Sequence, residues 1–254
     1  MHYWRLNIKV RLELISEGEV RLPIAYNYLI QSMIYALIED RFPNLHDVGF
    51  EYEKRRLKLF TFSQIYSQKY QVDGKFINFS SPLYIFVSSP IDELIDVLAN
   101  KMLRKEKLRI GNNCLTLSRI DPIIENFDGC SIKVKAVSPI TVYTTSEDGH
   151  TYYHSPDERI FDSLIKSNIQ KKAFILGLNT DEKSINFSIE SLNSDKKNSK
   201  VTFYKNFLVR GWTGKFKIEG DEWLLKIALS AGLGAKNSQG FGMVVLEEVK
   251  IWDF

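Results

Sequence analysis

Residues 4–14 alternate between apolar and polar positions without a slip. Trp4, Leu6, Ile8, Val10, Leu12 and Leu14 fall on one side, Arg5, Asn7, Lys9, Arg11 and Glu13 on the other. A period of two over this length predicts a half-buried β-strand. Its polar side carries the cations Arg5, Lys9 and Arg11, which reads as a solvated surface or as a track for phosphates. After Leu22-Pro23 the period becomes helical from about Ile24 to Phe42, with Tyr28, Ile34, Tyr35 and Ile38 at its bulky positions, until Pro43-Asn44 ends it. Alternation returns at Lys58–Ser63, and Phe76–Phe79 and Leu83–Val87 predict further strands. A helix over Pro90–Arg104 has Asp92 and Glu93 in its first turn, where the helix dipole favours anions. A strand over about Lys107–Ile120 closes this unit.

The same order then recurs. Ile132–Thr145 predicts a strand, and Ser155-Pro156-Asp157-Glu158 reads as an N-cap with an acidic first turn leading a helix to about Leu178. Ile185–Leu192 and Val201–Ile218 predict strands on either side of a polar hairpin tip, Ser194–Ser199. A helix over Asp221–Ala231 and a strand over Phe241–Val249 complete the second unit, with no sequence repeat to accompany the repeated order. The fold class is therefore α+β, with two tandem ferredoxin-like (RRM-like, βαββαβ) domains over residues 1–121 and 122–254 and a boundary near Asp121–Gly129. Four-stranded sheets of this kind are a common RNA-binding platform.

Between the last helix and the last strand lies Gly232-Leu233-Gly234-Ala235-Lys236-Asn237-Ser238-Gln239-Gly240-Phe241-Gly242. Glycine admits positive φ and the close approach of another backbone, and successive exposed amides beside Lys236 would form an anion-binding concavity. Dinucleotide and Walker loops run from strand through glycines into a helix. Here the glycines follow a helix, lead into a strand and lack Gly-Lys-Ser/Thr, which argues against nucleotide binding of that kind.

Composition narrows the setting. With 254 residues, 44% hydrophobic and 13% aromatic, the chain can bury one large core or two smaller ones. No run approaches the ~18 apolar residues of a membrane span, and Met1–Arg5 lacks the pattern of a secretory signal, so a cytoplasmic location is expected. Cys114 and Cys130 supply neither a disulfide framework nor metal-ligand spacing, and no metal or cofactor is expected. A net charge of +3 permits a nucleic-acid partner if the cations gather on one face.

The glycine run before a terminal strand resembles the signature of the Cas6 family, the CRISPR-associated repeat-RNA processing endoribonucleases of the RAMP superfamily. Leu22-Pro23, Tyr26-Asn27-Tyr28, Gln31 and Ile34-Tyr35 resemble that family's first-helix motif. Leu45-His46 resembles its catalytic-histidine position, and Lys58-Leu59-Phe60-Thr61-Phe62-Ser63 its following strand. The resemblance implies two ferredoxin-like domains, binding of CRISPR repeat RNA (pre-crRNA), and one metal-independent cut per repeat. It also implies a catalytic set of Tyr35, His46 and Lys58. The 2′-hydroxyl would attack the adjacent phosphorus, leaving a 2′,3′-cyclic phosphate and a 5′-hydroxyl. These residue types suit that reaction: histidine moves protons near neutral pH, an ammonium stabilises the phosphorane, and a tyrosine hydroxyl donates to its oxygens or serves as acid or base.

RNA contacts are expected from Gly232, Gly234, Lys236, Asn237, Ser238, Gln239, Gly240 and Gly242, and from the basic run Lys54, Arg55 and Arg56. His2, His150 and His154 have no motif around them. Two other readings stay open: a non-cleaving repeat-RNA-binding subunit of an interference complex, and an RNA-binding protein unrelated to CRISPR. A multisubunit CRISPR complex and a homodimer remain open as partners.

Overall fold

Val10, Leu12 and Leu14 are buried, as the alternation requires, and their strand lies in the middle of an antiparallel sheet. The computed structural model describes residues 8–53, 55–178, 185–192, 198–205 and 207–251. Trp4, Arg5, Leu6, Asn7, Lys54 and most of the expected hairpin tip, 194–197, lie outside the described residues.

The first half runs β1 (Ile8–Ile15), β2 (Val20–Pro23), α1 (Asn27–Ile38), β3 (Phe50–Tyr52), β4 (Arg55–Leu57), β5 (Thr61–Phe62), β6 (Tyr70–Asp73), β7 (Phe76–Phe79), β8 (Leu83–Ser89), α2 (Asp92–Arg104), β9 (Leu108–Ile110) and β10 (Asn113–Ile123). The second runs β11 (Ser131–Ile140), β12 (Tyr143–Thr145), β13 (Thr151–Tyr153), α3 (Arg159–Ile175), β14 (Phe187–Ser191), β15 (Ser199–Tyr204), β16 (Phe207–Gly220), α4 (Glu222–Ala231) and β17 (Val244–Leu246).

The first sheet has the order β5-β8-β1-β10-β9, and the second the order β14-β16-β11-β17 with β15 also on β16. Setting aside the added strands, both place the first and third strands in the middle, the second beside the third and the fourth beside the first. Each half buries its own core, one built on Ile30, Ile34, Leu94 and Leu98 and the other on Ile165, Ile169, Leu225 and Ala228. A smaller cluster of Phe86, Val137, Met243 and Val245 joins them.

Several expected elements have different bounds. Leu22-Pro23 does not open α1; it ends β2, which pairs with β7. The expected strand at Lys58–Ser63 survives only as Thr61–Phe62, because Leu59 takes φ +52° and is turned into the core of the second half while Phe60 and Phe62 enter that of the first. Val201–Ile218 is not one strand but part of the β15–β16 hairpin, reversed at Lys205 with φ +54°. Ser155–Glu158 forms a turn before α3, and no side chain caps the helix itself.

Lys9 departs furthest from expectation. It lies on neither a solvated surface nor a phosphate track: it is 1% exposed, paired with Glu125, and donates to the Val244 carbonyl at 2.8 Å. Glu125 also accepts from the Leu246 amide at 2.6 Å. At Lys9 the polar side of β1 therefore meets the second half rather than water, and this pair ties the linker between the halves to both of them. Desolvation pulls the Lys9 pKa down, against the pull of Glu125.

Candidate active site

The glycine segment is held at both ends by backbone. Leu233 N–H donates to the Gly242 carbonyl, Ala235 N–H to Thr141, and Gly242 N–H to Pro139, each at 2.8 Å. Asn237–Gln239 form one 3₁₀ turn between left-handed Lys236 and Gly240. Asn237 Nδ2 staples the loop by donating to the Leu233 carbonyl at 3.1 Å and the Phe241 carbonyl at 3.0 Å.

The need for glycine is met inside the protein. At Gly242, with φ +74°, a Cβ would lie 1.9 Å from the Leu233 oxygen. At Gly240, with φ +81°, it would lie 2.5 Å from the Phe62 ring and 2.7 Å from Asn27 Nδ2. Gly232 and Gly234 are buried too, so these four positions shape the loop while Lys236, Asn237, Ser238 and Gln239 form its outer edge.

Helix α1 reads that loop from the other side. Asn27 Nδ2 donates to the Gln239 carbonyl at 2.9 Å, and Gln31 Nε2 to the Ser238 carbonyl at 2.7 Å. Tyr204, on the β15–β16 hairpin, hydrogen-bonds Gln31 Oε1. Tyr26 turns inward, its hydroxyl accepting from the Ile65 amide at 3.0 Å. The polar residues of the first-helix motif thus tie α1 to a loop more than two hundred positions away in the chain.

One turn past Gln31, Tyr35 is hydrogen-bonded to Ser238, and burial pushes its pKa up to about 12. It is therefore a protonated phenol at neutral pH. Its ring meets the edge of His46 with centroids 4.7 Å apart and packs against Phe60 at 5.4 Å. His46 lies in the exposed loop after α1, with Nδ1 2.6 Å from Asp47 Oδ1. A carboxylate only accepts hydrogen bonds, so this contact puts the neutral-ring proton on Nδ1 and leaves Nε2 for chemistry. Lys58 donates to the His46 carbonyl at 2.6 Å. Desolvation lowers the Lys58 pKa, opposed by Asp47 and reinforced by Arg56.

Tyr35 of the helix and His46 of the loop thus meet ring to ring, while Lys58, from the segment after β4, meets the His46 backbone. Two clefts flank them. One, of about 390 Å³, is lined by Gln31, Tyr35, His46 and Lys205. The other, of about 480 Å³, is lined by Arg55, Arg56, Lys58, Lys171, Lys236 and the polar edge of the glycine loop. Cations from separate stretches of the chain thus line this one cleft. Lys236 lies 5.2 Å from the centroid of Tyr143, a cation–π contact at the cleft wall, and burial lowers its pKa. Lys205, Tyr204 and Lys171 gave no sequence signal of a site on their own, since their positions at the clefts come from distant packing.

His154 is buried at 7% exposure, with Nδ1 2.9 Å from Glu158 and Nε2 2.9 Å from Thr144, which accounts for it structurally.

Comparison with known proteins fits this geometry. Residues 21–121 match the family model described as CRISPR-associated protein Cas6, N-terminal, and residues 122–246 the one described as CRISPR associated protein Cas6, C-terminal. The chain is similar to the CRISPR-associated endoribonuclease Cas6 1 of Methanocaldococcus jannaschii, 31% identical over 254 residues that cover 97% of this chain and 95% of that protein. The chain belongs to the Cas6 family of CRISPR-associated endoribonucleases. Another Cas6 relative, the CRISPR-associated endoribonuclease Cas6 of Pyrococcus furiosus, is 28% identical over 93% of this chain and 89% of its own length. A solved structure described as CRISPR associated protein Cas6 superposes with a TM-score of 0.75 at 29% identity, covering 95% of this chain and all of that one. No helix among the described residues of this Cas6 chain is long and apolar enough to cross a membrane.

Proposed function

We propose that this chain cleaves CRISPR repeat RNA (pre-crRNA) without a metal ion, through Tyr35, His46 and Lys58. The ring contact of Tyr35 with His46, and the reach of Lys58 from a cation-lined cleft to the His46 backbone, carry the reading. The RNA 2′-oxygen forms a bond to the adjacent phosphorus and the bond to the 5′-oxygen breaks, giving a 2′,3′-cyclic phosphate and a 5′-hydroxyl. One proton leaves the 2′-oxygen and one reaches the 5′-oxygen, and His46 Nε2 carries one of these transfers. The Lys58 ammonium and the Tyr35 phenol donate to the phosphorane oxygens, where charge develops. Burial keeps Tyr35 protonated, which suits a donor and not a base.

The RNA backbone follows Arg55, Arg56, Lys58 and Lys236 through the larger cleft, with Ser238 and Gln239 facing it. Gly232, Gly234, Gly240 and Gly242 support this path by holding the loop's shape, and Asn237 by stapling it. The two halves are read as tandem ferredoxin-like domains, 1–121 and 122–254. Their shared strand order and the junction of the two matched stretches after residue 121 support this.

The test is a single-turnover reaction on the repeat RNA of the chain's own CRISPR locus in EDTA. One cut with a cyclic phosphate end is expected. A requirement for a divalent ion would refute the metal-independent reading, and tight binding without a cut would make the chain a repeat-RNA-binding subunit instead. In the same assay Tyr35→Phe is expected to cut about tenfold more slowly, the equivalent of one hydrogen bond made in the transition state, with binding changed less than about twofold. An unchanged rate would remove Tyr35 from the chemistry.

A further inference from the structure

Lys172, on α3, is 1% exposed, yet among the described residues no ion pair includes it. Its ammonium donates to the Gly232 carbonyl at 2.6 Å and to those of Ala231 and Gly234 at 3.4 Å. These oxygens are the C-terminal end of α4 and the first residues of the glycine loop, the negative end of a helix dipole. An isolated buried cation is a costly group to keep in a fold, and burial alone pulls its pKa down to about 7.

Lys172 also lies in the wall of the larger cleft. The side chains that line this cleft around it are neutral or cationic: Asn168 and Lys171 from α3, Arg55 and Arg56 from β4, Lys58 after it, Tyr143 from β12 and Lys236 from the loop. Ala231 of α4 contributes no titratable group. No carboxylate is among the lining residues.

We infer that Lys172 is a positioning residue of the RNA site: it fixes the start of the glycine loop, and its buried charge finds its counter-charge in the RNA backbone entering the cleft. The inference rests on the repeat-RNA reading. It ties binding to a proton. A polyanion in the cleft raises the affinity of Lys172 for its proton, so RNA binding takes one up. Affinity is then level below the pKa of the free protein and falls as pH rises above it, by at most about one decade per pH unit.

The experiment measures repeat-RNA affinity at constant ionic strength from pH 6 to pH 9 in protein carrying His46→Ala, so that the RNA stays whole. Affinity is expected to weaken about tenfold between pH 7 and pH 9. Adding Lys172→Met should weaken binding about tenfold at pH 6.5 and flatten the profile. Lys172→Arg, whose charge does not titrate in this range, should restore the pH 6.5 affinity and keep the profile flat. Should Lys172→Met fail to fold, Lys172→Arg decides alone: an unchanged slope overturns the inference. Equal affinity and slope in all the proteins also overturns it and leaves the repeat-RNA reading standing. Failure of the Lys172-containing protein to bind repeat RNA refutes that reading, and the inference falls with it.

Discussion

His46→Ala is expected to slow single-turnover cleavage of repeat RNA by roughly 10²–10⁴-fold, the usual contribution of a positioned acid or base. Affinity for uncut RNA should stay within about twofold. Chemistry and binding separate at this position because of where His46 stands. Its ring is largely exposed, meets the edge of Tyr35 and the Asp47 carboxylate, and belongs to neither core among the described residues. The Lys58 contact is made to the His46 carbonyl, which alanine retains. The variant should therefore fold with the loop in place and lack only the imidazole. Quenched-flow cleavage and filter binding on the same preparation check both halves of the expectation. Equal loss of cutting and binding would make His46 a structural residue.

Gly242→Ala is expected to cost stability on the order of 4 kcal/mol, seen as a fall in Tm of roughly 10 °C for a chain of this size. Two effects add. A left-handed backbone costs a residue with a Cβ about 1–2 kcal/mol. The new methyl would also lie 1.9 Å from the Leu233 carbonyl oxygen, a backbone atom whose displacement breaks the hydrogen bond it accepts from Asn237 Nδ2. Gly18→Ala is the control: nothing lies within 4 Å of its added Cβ, and the change should stay within about 0.5 kcal/mol. Thermal unfolding of the three proteins without RNA is sufficient. A Gly242→Ala protein as stable as the parent would show that the loop relaxes and that its glycines serve something other than packing.

Much of the architecture was legible because period-two and helical stretches alternate clearly, and the order of elements in each half follows from them. The bounds failed where tertiary packing overrode the local pattern. Lys58–Ser63 alternates like a strand, but Leu59 is claimed by the opposite core and the backbone turns to deliver it. Lys205 reverses a run of strand-forming residues with no glycine or proline to announce it. Lys9 shows the deeper reason. Alternation tells which side chains share a face, but not whether that face meets water or another sheet.

The site was legible in part for the same reason. Tyr35, His46 and Lys58 stood inside recognisable motifs, and in the structure Tyr35 meets the His46 ring and Lys58 the His46 backbone. The glycine pattern marked a loop that lines the larger cleft. It did not disclose that the glycines face Leu233, Thr141 and Phe62 of the protein's own chain. Lys172 carried no signal, because a lysine in an amphipathic helix reads as solvated until α4 and the glycine loop are laid over it.

The bonds from Asn27 and Gln31 to Gln239 and Ser238 close the site across 212 and 207 positions of sequence. A ribosome makes the N-terminal half first, so Tyr35 and His46 emerge and fold long before their partner loop exists. Even with the first half complete, the nascent chain lacks the support for Tyr35 that Ser238 provides. Under the proposed roles, the full arrangement around Tyr35 forms only after the glycine loop has been made and has docked on α1.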